Sequence, residues 1–309
     1  MKIQRVTFLG VRGVADATLD FTDPRTGVPH GLVVVTGPSA SGKTRLLEAL
    51  VAAKEAIAPH GPLAPGASWI GEGSAAKIVI AFHLDEAERE YAGTASSMLE
   101  GEVIFVPARA RTEADEGLRA VLDRYSHDPA HGKLEYFPAG RRIPAIAPFN
   151  GLGTAEQRIH RPGKDPRKYS FVVQLLRELE RERARGAAFA AHLEALSPTC
   201  RYLPDGSGEV FPRCFQSRGS PPLTVAELSD GEADAVIFAA TTVAIGLDHS
   251  LVLIDRPDLH LDDGGVEGRL VAGLASLGRD NQLFLAARPE LAATAGAVSA
   301  AHVVTLKGP

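Results

Sequence analysis

Cysteine is scarce in this chain of 309 residues: Cys200 and Cys214 are the only two. Two thiols build neither a disulfide framework nor a four-cysteine zinc site, so they read as ordinary thiols and a cytoplasmic location is expected. No apolar run approaches the roughly 18 residues that suggest a membrane span. The opening IQRVTF is a polar strand rather than a basic-then-apolar signal peptide, and no membrane partner is expected. A formal charge of −5 gives no global reason to bind nucleic acid or an anionic surface. Internal repeats are absent, and no glutamine occurs between Gln4 and Gln157. What remains is ordinary globular composition, 45% hydrophobic and 23% charged, in a chain long enough for one large α/β domain or two smaller ones.

Hydrophobic patterning divides the chain into two regular parts around a looser one. Residues 2–9 and 14–21 read as strands, and DPRTGVPHG (23–31) is turn chemistry. LVVVTG (32–37) is a short, continuous apolar run, the pattern of a strand buried on both faces. A helix is expected from Lys43 to about Ile57, with Leu46, Leu47, Leu50 and Val51 on one stripe. AKIVIAF (76–82) and EVIFVP (102–107) read as strands. Between about Ala108 and Pro222 the pattern loosens, with one long helix expected over 169–196 and RELERERAR (177–185) as its solvated, ion-paired face. Regular α/β structure then returns, as helix 230–246, strand 250–255, helix 263–277 and strands 282–286 and 302–306.

GPSASGKT (37–44) carries the strongest chemical signal. It fits G-x-x-x-x-G-K-[ST] and sits between an apolar strand and an amphipathic helix, the context this phosphate loop demands. Gly37 and Gly42 let the backbone curl around an anion, with the N–H groups of Ser39, Ala40 and Ser41 and the helix N-terminus facing phosphate. Lys43 would reach the terminal phosphates and the Thr44 hydroxyl would ligate Mg²⁺. A site for a mononucleotide such as ATP follows.

Two later stretches narrow the type. LSDGEAD (228–234) opens a helix about 190 residues after the loop begins, and LVLIDRPDLHLDD (251–263) follows some 20 residues on. Taken alone, LSDGE could be just a helix N-cap formed by Ser229 or Asp230. In this order, however, the motifs resemble the ATPase domains of the ABC/SMC superclass, especially its soluble RecF-like and overcoming-lysogeny-like branch. MKIQRVTFLGVRGVADATLDF (1–21) is similar to that family's opening pair of strands, with Arg12 in the place of the arginine at its bend. The resemblance covers roughly residues 1–107 and 223–309.

The resemblance implies an α/β, ABC-ATPase-type P-loop core, a mixed β-sheet flanked by helices, formed by 1–107 and 223–309. An inserted, largely helical subdomain would occupy 108–222. It also implies ATP and Mg²⁺ as cofactors and head-to-tail dimers, with itself or a paralogous ATPase subunit, that sandwich the nucleotide. Ser229 and Gly231 would then cap the γ-phosphate held by the other protomer, Arg12 would contact the nucleotide, and Asp255 would join Thr44 at the metal. Asp262 matches an aspartate that communicates between the two sites, whereas His260 reads as structure.

The departures concern water. Arg256 stands where the family has its catalytic glutamate, and a guanidinium accepts no proton at neutral pH. Ala287 or Arg288, depending on a one-residue slip, stands at the switch histidine. No lid glutamine is present, and His83, the nearest polar residue, acquires no role. Loss of a general base costs roughly 10²–10⁴ in rate. Asp258 is the candidate for a relocated catalytic base, with Glu232 as a second.

Residues 138–168 hold seven Lys/Arg and two Asp/Glu, a local +5 against −10 for the remainder. With Phe137 and Phe149 nearby, this stretch could bind nucleic acid, an acidic effector protein, or water alone. Two functions follow: an ATP-gated switch with weak or no hydrolysis, in a DNA-related or antiviral setting implied by the family, or an active ATPase using a relocated base or a complete partner subunit. A small-molecule phosphotransferase is disfavoured, because it has no need of an LSDGE element acting in trans.

Overall fold

The computed structural model describes residues 1–61, 64–127, 134–144, 161–165, 167–204, 212–261, 267–299 and 301–307. Two five-stranded sheets dominate it. The first is antiparallel, in the order β2-β1-β4-β5-β6, built from β1 (Lys2–Leu9), β2 (Ala17–Asp20), β4 (Ala76–His83), β5 (Met98–Val106) and β6 (Arg109–Ala114). The second is parallel, in the order β12-β3-β11-β10-β7, built from β3 (Leu32–Thr36), β7 (Leu134–Phe137), β10 (Leu251–Asp255), β11 (Gln282–Ala286) and β12 (His302–Thr305). Every residue of β3, β10 and β11 is buried, as expected of strands covered on both faces.

Helix α1 (Lys43–Ile57) lies between the sheets. One core cluster joins its Leu46, Leu47 and Leu50 to Phe8, Phe82 and Phe105 of the antiparallel sheet and to Val33, Val35 and Leu253 of the parallel one. Sandwiching explains why burial on α1 spreads beyond the single stripe that periodicity predicts, reaching Ala49, Ala52 and even Lys54 and Glu55. The alternate residues of the parallel strands, Val34, Val252, Ile254 and Leu285, face a second cluster on the far side. There they meet α4 (Phe171–Leu179), α5 (Arg183–Leu196), α6 (Asp230–Ile245), α7 (Glu267–Ala275) and α8 (Pro289–Ser299). Short helices α2 (Glu86–Ala92) and α3 (Glu116–His127) pack together on the antiparallel side, and a small hairpin pairs β8 (Cys200–Tyr202) with β9 (Phe215–Ser217).

The sheets reach into the segment expected to be inserted. β6 pairs with β5, and β7 pairs with β10, although both lie within 108–222. The single helix expected over 169–196 is two, α4 and α5, with a break at residues 180–182. Gly186 stands just past that break, where a Cβ would lie 3.0 Å from the Leu179 carbonyl oxygen. The ion pairs expected on RELERERAR exist, Arg185 with Glu182 at 2.8 Å and with Glu178 at 4.0 Å, but at exposed positions worth well under about 1 kcal/mol. No helix among the described residues is long and apolar enough to cross a membrane.

Candidate functional site

The C-terminal ends of parallel strands share one edge of their sheet, and here β3, β11, β10 and β7 all deliver polar chain to that edge. β3 runs into the phosphate loop. Gly37 has φ of +144°, and a Cβ there would come within 2.5 Å of the Leu306 carbonyl oxygen. Gly42, the N-cap of α1, has φ of +91°, and a Cβ would lie 2.1 Å from the Gly13 carbonyl oxygen. Only glycine fits at either position, and the backbone between them is bent into a cradle, with Ala40 in the left-handed region. Ser39, Ala40 and Ser41 form its rim, and the buried Ser41 hydroxyl has no hydrogen-bond partner among the described residues. The first N–H groups of α1 open into the same cradle without intrahelical partners. Lys43 folds over the loop, its ammonium donating to the carbonyl oxygens of Gly37 and Pro38 at 2.8 Å each.

Thr44 and Asp255, 211 residues apart in sequence, meet beneath the loop. The Thr44 hydroxyl lies 3.0 and 2.9 Å from the two carboxylate oxygens of Asp255. Burial holds the Asp255 carboxyl above the usual carboxylate range, and the neighbouring Glu48 adds to this; the Thr44 hydroxyl, Lys164 and Arg256 act the other way. A hydroxyl and a buried carboxylate at the mouth of an anion cradle are a donor set suited to Mg²⁺ carried by phosphates. The cradle, the orphaned Ser41 hydroxyl and this oxygen pair thus fit a Mg²⁺–nucleotide.

Arg12 lies on the turn that packs against the loop through Gly13. It is exposed, with Nε donating to the Ile70 carbonyl at 2.9 Å, while its own carbonyl accepts from Arg45 Nε at 3.0 Å. Ser229 is the N-cap of α6 in a capping box: Ser229 Oγ accepts from the Glu232 N–H, and the Ser229 N–H donates to the Glu232 carboxylate. The Ser229 hydroxyl also donates to Glu232 Oε2 at 2.8 Å, and Ser217 on β9 donates to Glu232 Oε1. Gly231 sits against the 260 region, where a Cβ would be 3.1 Å from the His260 carbonyl oxygen. These residues line a cavity of about 650 Å³ with Arg218 and His260, apart from the phosphate loop. Asp262 lies outside the described residues.

Asp258, the candidate base, is only 1% exposed in its side chain and is gripped from both sides. Arg256 Nε donates to Oδ1 at 3.2 Å, while Arg288 donates to Oδ2 from Nε at 2.7 Å and from its backbone N–H at 3.3 Å. Glu232 is occupied as described. Of the two residues expected at the switch-histidine position, Ala287 is buried in the core and Arg288 faces Asp258.

Arg141 is the residue that sequence reasoning placed wrongly. Rather than belonging to a solvated basic patch, it is buried and ties three elements together. It donates to the carbonyls of Pro138 (3.2 Å), Asp255 (3.0 Å) and Arg256 (3.2 Å), and it pairs with Asp234 of α6. Lys168, from the same stretch, is buried against Glu135 of β7 at 2.6 Å; burial lowers the lysine pKa and raises that of the glutamate. Arg161 and Phe137 are buried too, so the stretch 138–168 offers far less basic or aromatic surface than its composition suggests. Phe149 lies outside the described residues. β7, which ends at Phe137, is a strand that the sequence did not reveal, and it pairs with β10. A faint signal was available in LEYFP, an apolar run ending in proline.

No protein-family model matches the sequence, and no curated protein matches it. Solved structures do match in fold. An SmcHead bound to the C-terminal winged-helix domain of ScpA is 15% identical, covering 94% of this chain and 90% of that one with a TM-score of 0.58. The Smc head domain with an extended coiled coil, bound to the C-terminal domain of ScpA and derived from Pyrococcus furiosus, is 13% identical over 95% and 91% of the two chains, with a TM-score of 0.57. The SMC head domain from Thermotoga maritima gives 14% identity over 97% and 93%, with a TM-score of 0.50. The chain therefore has the mixed α/β fold of an SMC head ATPase domain.

Proposed function

We propose that this chain is a nucleotide-binding head that works as an ATP-gated switch: it binds ATP with Mg²⁺, pairs head to tail around the nucleotide, and hydrolyses it weakly or not at all. One contrast carries the reading. The groups that hold a Mg²⁺–nucleotide are assembled, with Thr44 on Asp255 at 2.9 Å beneath the glycine cradle. The two candidate bases, Asp258 and Glu232, are by contrast occupied by hydrogen bonds. A base must have a lone pair within reach of water, and Asp258 presents both oxygens to guanidinium groups.

In this reading the N–H groups of residues 39–44 and Lys43 hold the phosphates, while Thr44 and Asp255 hold the metal, Asp255 through water. Mg²⁺, when bound, neutralises charge on the terminal phosphate oxygens. Ser229 and Gly231 act in trans, on the nucleotide of a second copy or of a paralogous subunit. Engagement requires the Ser229 hydroxyl to turn from Glu232 toward phosphate. An effector protein as further partner is in keeping with the ScpA-bound heads of like fold; a DNA-related or antiviral setting rests on the family resemblance alone.

The test is ATP turnover and oligomeric mass in one preparation, with Mg·ATP, with ADP, and with Lys43→Ala. Dimers that need ATP, with turnover no higher than in Lys43→Ala, are expected. Robust turnover abolished by Lys43→Ala would instead reveal an active ATPase with a base elsewhere, and turnover without dimers would remove the head-to-tail assembly.

A further inference from the structure

The cavity beside Ser229 carries two positive charges that have no task in the nucleotide cradle. It spans about 650 Å³ between the end of α5, the turn after β9, the start of α6 and α7. Ligand sites commonly occupy roughly 300–1,000 Å³, so a small molecule fits. Two arginines line it from separate elements, Arg218 in the turn that follows β9 and Arg269 in the first turn of α7. Both residues are exposed, and neither guanidinium has a hydrogen bond or an ion pair among the described residues. The charge of Arg218 reaches the Glu232 carboxylate, but no ion pair joins them.

The two carboxylates that line the cavity are engaged elsewhere. Glu232 accepts from Ser217 and Ser229, and Asp234 pairs with Arg141. Ser197 and Thr199 add hydroxyls, and the first N–H groups of α6 lack intrahelical partners. Leu196, Ala235, Phe238 and Leu270 supply a buried apolar wall. Donors beside an apolar wall suit an anion carried on an organic body. One arginine fork already takes both oxygens of a carboxylate, whereas a phosphate presents a third to a second fork. Hydroxyls and helix N-terminal amides complete such a shell.

We propose that this cavity is a second phosphate-binding site, apart from the glycine loop, which takes a nucleoside phosphate through Arg218 and Arg269. Two sources offer that chemistry: a free nucleotide, and the nucleotide held on the glycine loop of a paired head. The second source rests on the switch reading above and deepens it, since Ser229 and Gly231 line the same cavity. The first source needs no pairing. In both cases phosphate competes with Glu232 for the Ser229 hydroxyl, so filling the cavity loosens the start of α6 from the turn that carries Arg218.

The experiment is equilibrium titration of the full chain with the β,γ-imido analogue of ATP and Mg²⁺, with oligomeric mass followed in the same samples. It compares the unaltered protein, Arg218→Gly, Arg269→Gln, and each of these combined with Lys43→Ala, which disables the glycine loop. Glycine suits the φ of +47° at residue 218, and Arg269 is exposed on a helix, so thermal melts should show both variants folded. With free nucleotide as the source, monomeric Lys43→Ala still binds the analogue, and either arginine variant weakens that binding by about tenfold or more. With a paired head as the source, monomeric Lys43→Ala binds none, and either arginine variant weakens analogue-dependent pairing by about tenfold while binding at the glycine loop stays within about twofold. Either result supports the site. Binding and pairing that are both unchanged in the two arginine variants overturn it and leave the glycine loop standing. Binding that the arginine variants weaken but Lys43→Ala does not overturns the glycine-loop reading and leaves this site standing.

Discussion

Two arginine–aspartate clusters flank the end of β10, and they differ in what their guanidiniums touch. Arg141 is wholly buried, bonds three backbone carbonyls and pairs with Asp234 on α6. Arg256 and Arg288 share Asp258 but remain a third or more exposed. The first cluster fixes backbone: it holds the loop after β7, the end of β10 and the helix opened by LSDGE in one arrangement. The second stays near the surface, on the sheet edge that carries the Gly37–Thr44 loop. Chemically similar pairs thus differ in depth: one braces backbone in the core, and the other grips a buried carboxylate from the surface.

That division can be broken most severely at Arg141. Arg141→Met leaves Asp234 buried without its arginine and takes a donor from three carbonyls, a loss of about 3–5 kcal/mol. Urea denaturation should show it as a lower midpoint at unchanged slope. If Arg141→Met unfolds no more readily than Arg256→Gln, the brace is no brace. A smaller loss, about 1–3 kcal/mol, is expected for Asp258→Asn, which weakens the hold on two arginines that can turn to water. A loss as large as that of Arg141→Met would erase the difference between the two clusters.

Asp255→Asn sharpens the contrast from the other side. Burial raises the Asp255 pKa, so the folded protein holds that proton to higher pH than the unfolded chain does. Stability is therefore present below the ordinary carboxylate pKa and lost as pH rises through the folded value. At neutral pH Asp255→Asn should melt at or above the unaltered temperature yet lose the Mg²⁺ dependence of nucleotide binding. A lower melting temperature would contradict the assignment of burial as the dominant cause. The smallest effect belongs to Gly231→Ala, whose Cβ meets the His260 carbonyl oxygen at 3.1 Å. A few tenths of an ångström of adjustment costs on the order of 1 kcal/mol, and the readout that matters is weaker ATP-dependent pairing.

Much of the edge that carries the glycine loop was legible in the sequence. GPSASGKT between an apolar strand and a helix specifies its own geometry, and Asp255 at the end of LVLID was placed by the same apolar run. Ser229 was legible as a cap because a serine three residues before a glutamate makes a local pattern. β7 was not, because four residues set among proline, glycine and charge carry too little periodicity to stand out. Arg141 and Lys168 were misread for a physical reason. Sequence reports a charge but not its depth, and both are buried only because partners come from elsewhere, Asp234 from α6 and Glu135 from β7. The break between α4 and α5 was hidden in the same way, since RELERERAR has good helix propensity and the turn is imposed by packing.

Glu232 has one more consequence, and it concerns time. Its carboxylate holds the Ser229 N–H at 3.1 Å and, on the other oxygen, the Ser217 hydroxyl of the β8–β9 hairpin. Water can reach the Ser229 amide only when that carboxylate lets go, so the exchange of a single backbone proton becomes a clock for the hairpin as well as for the helix start. Anything that steadies the hairpin from outside should slow that clock, and anything that draws Ser229 away toward an anion should change its rate while the centre of α6 keeps its own.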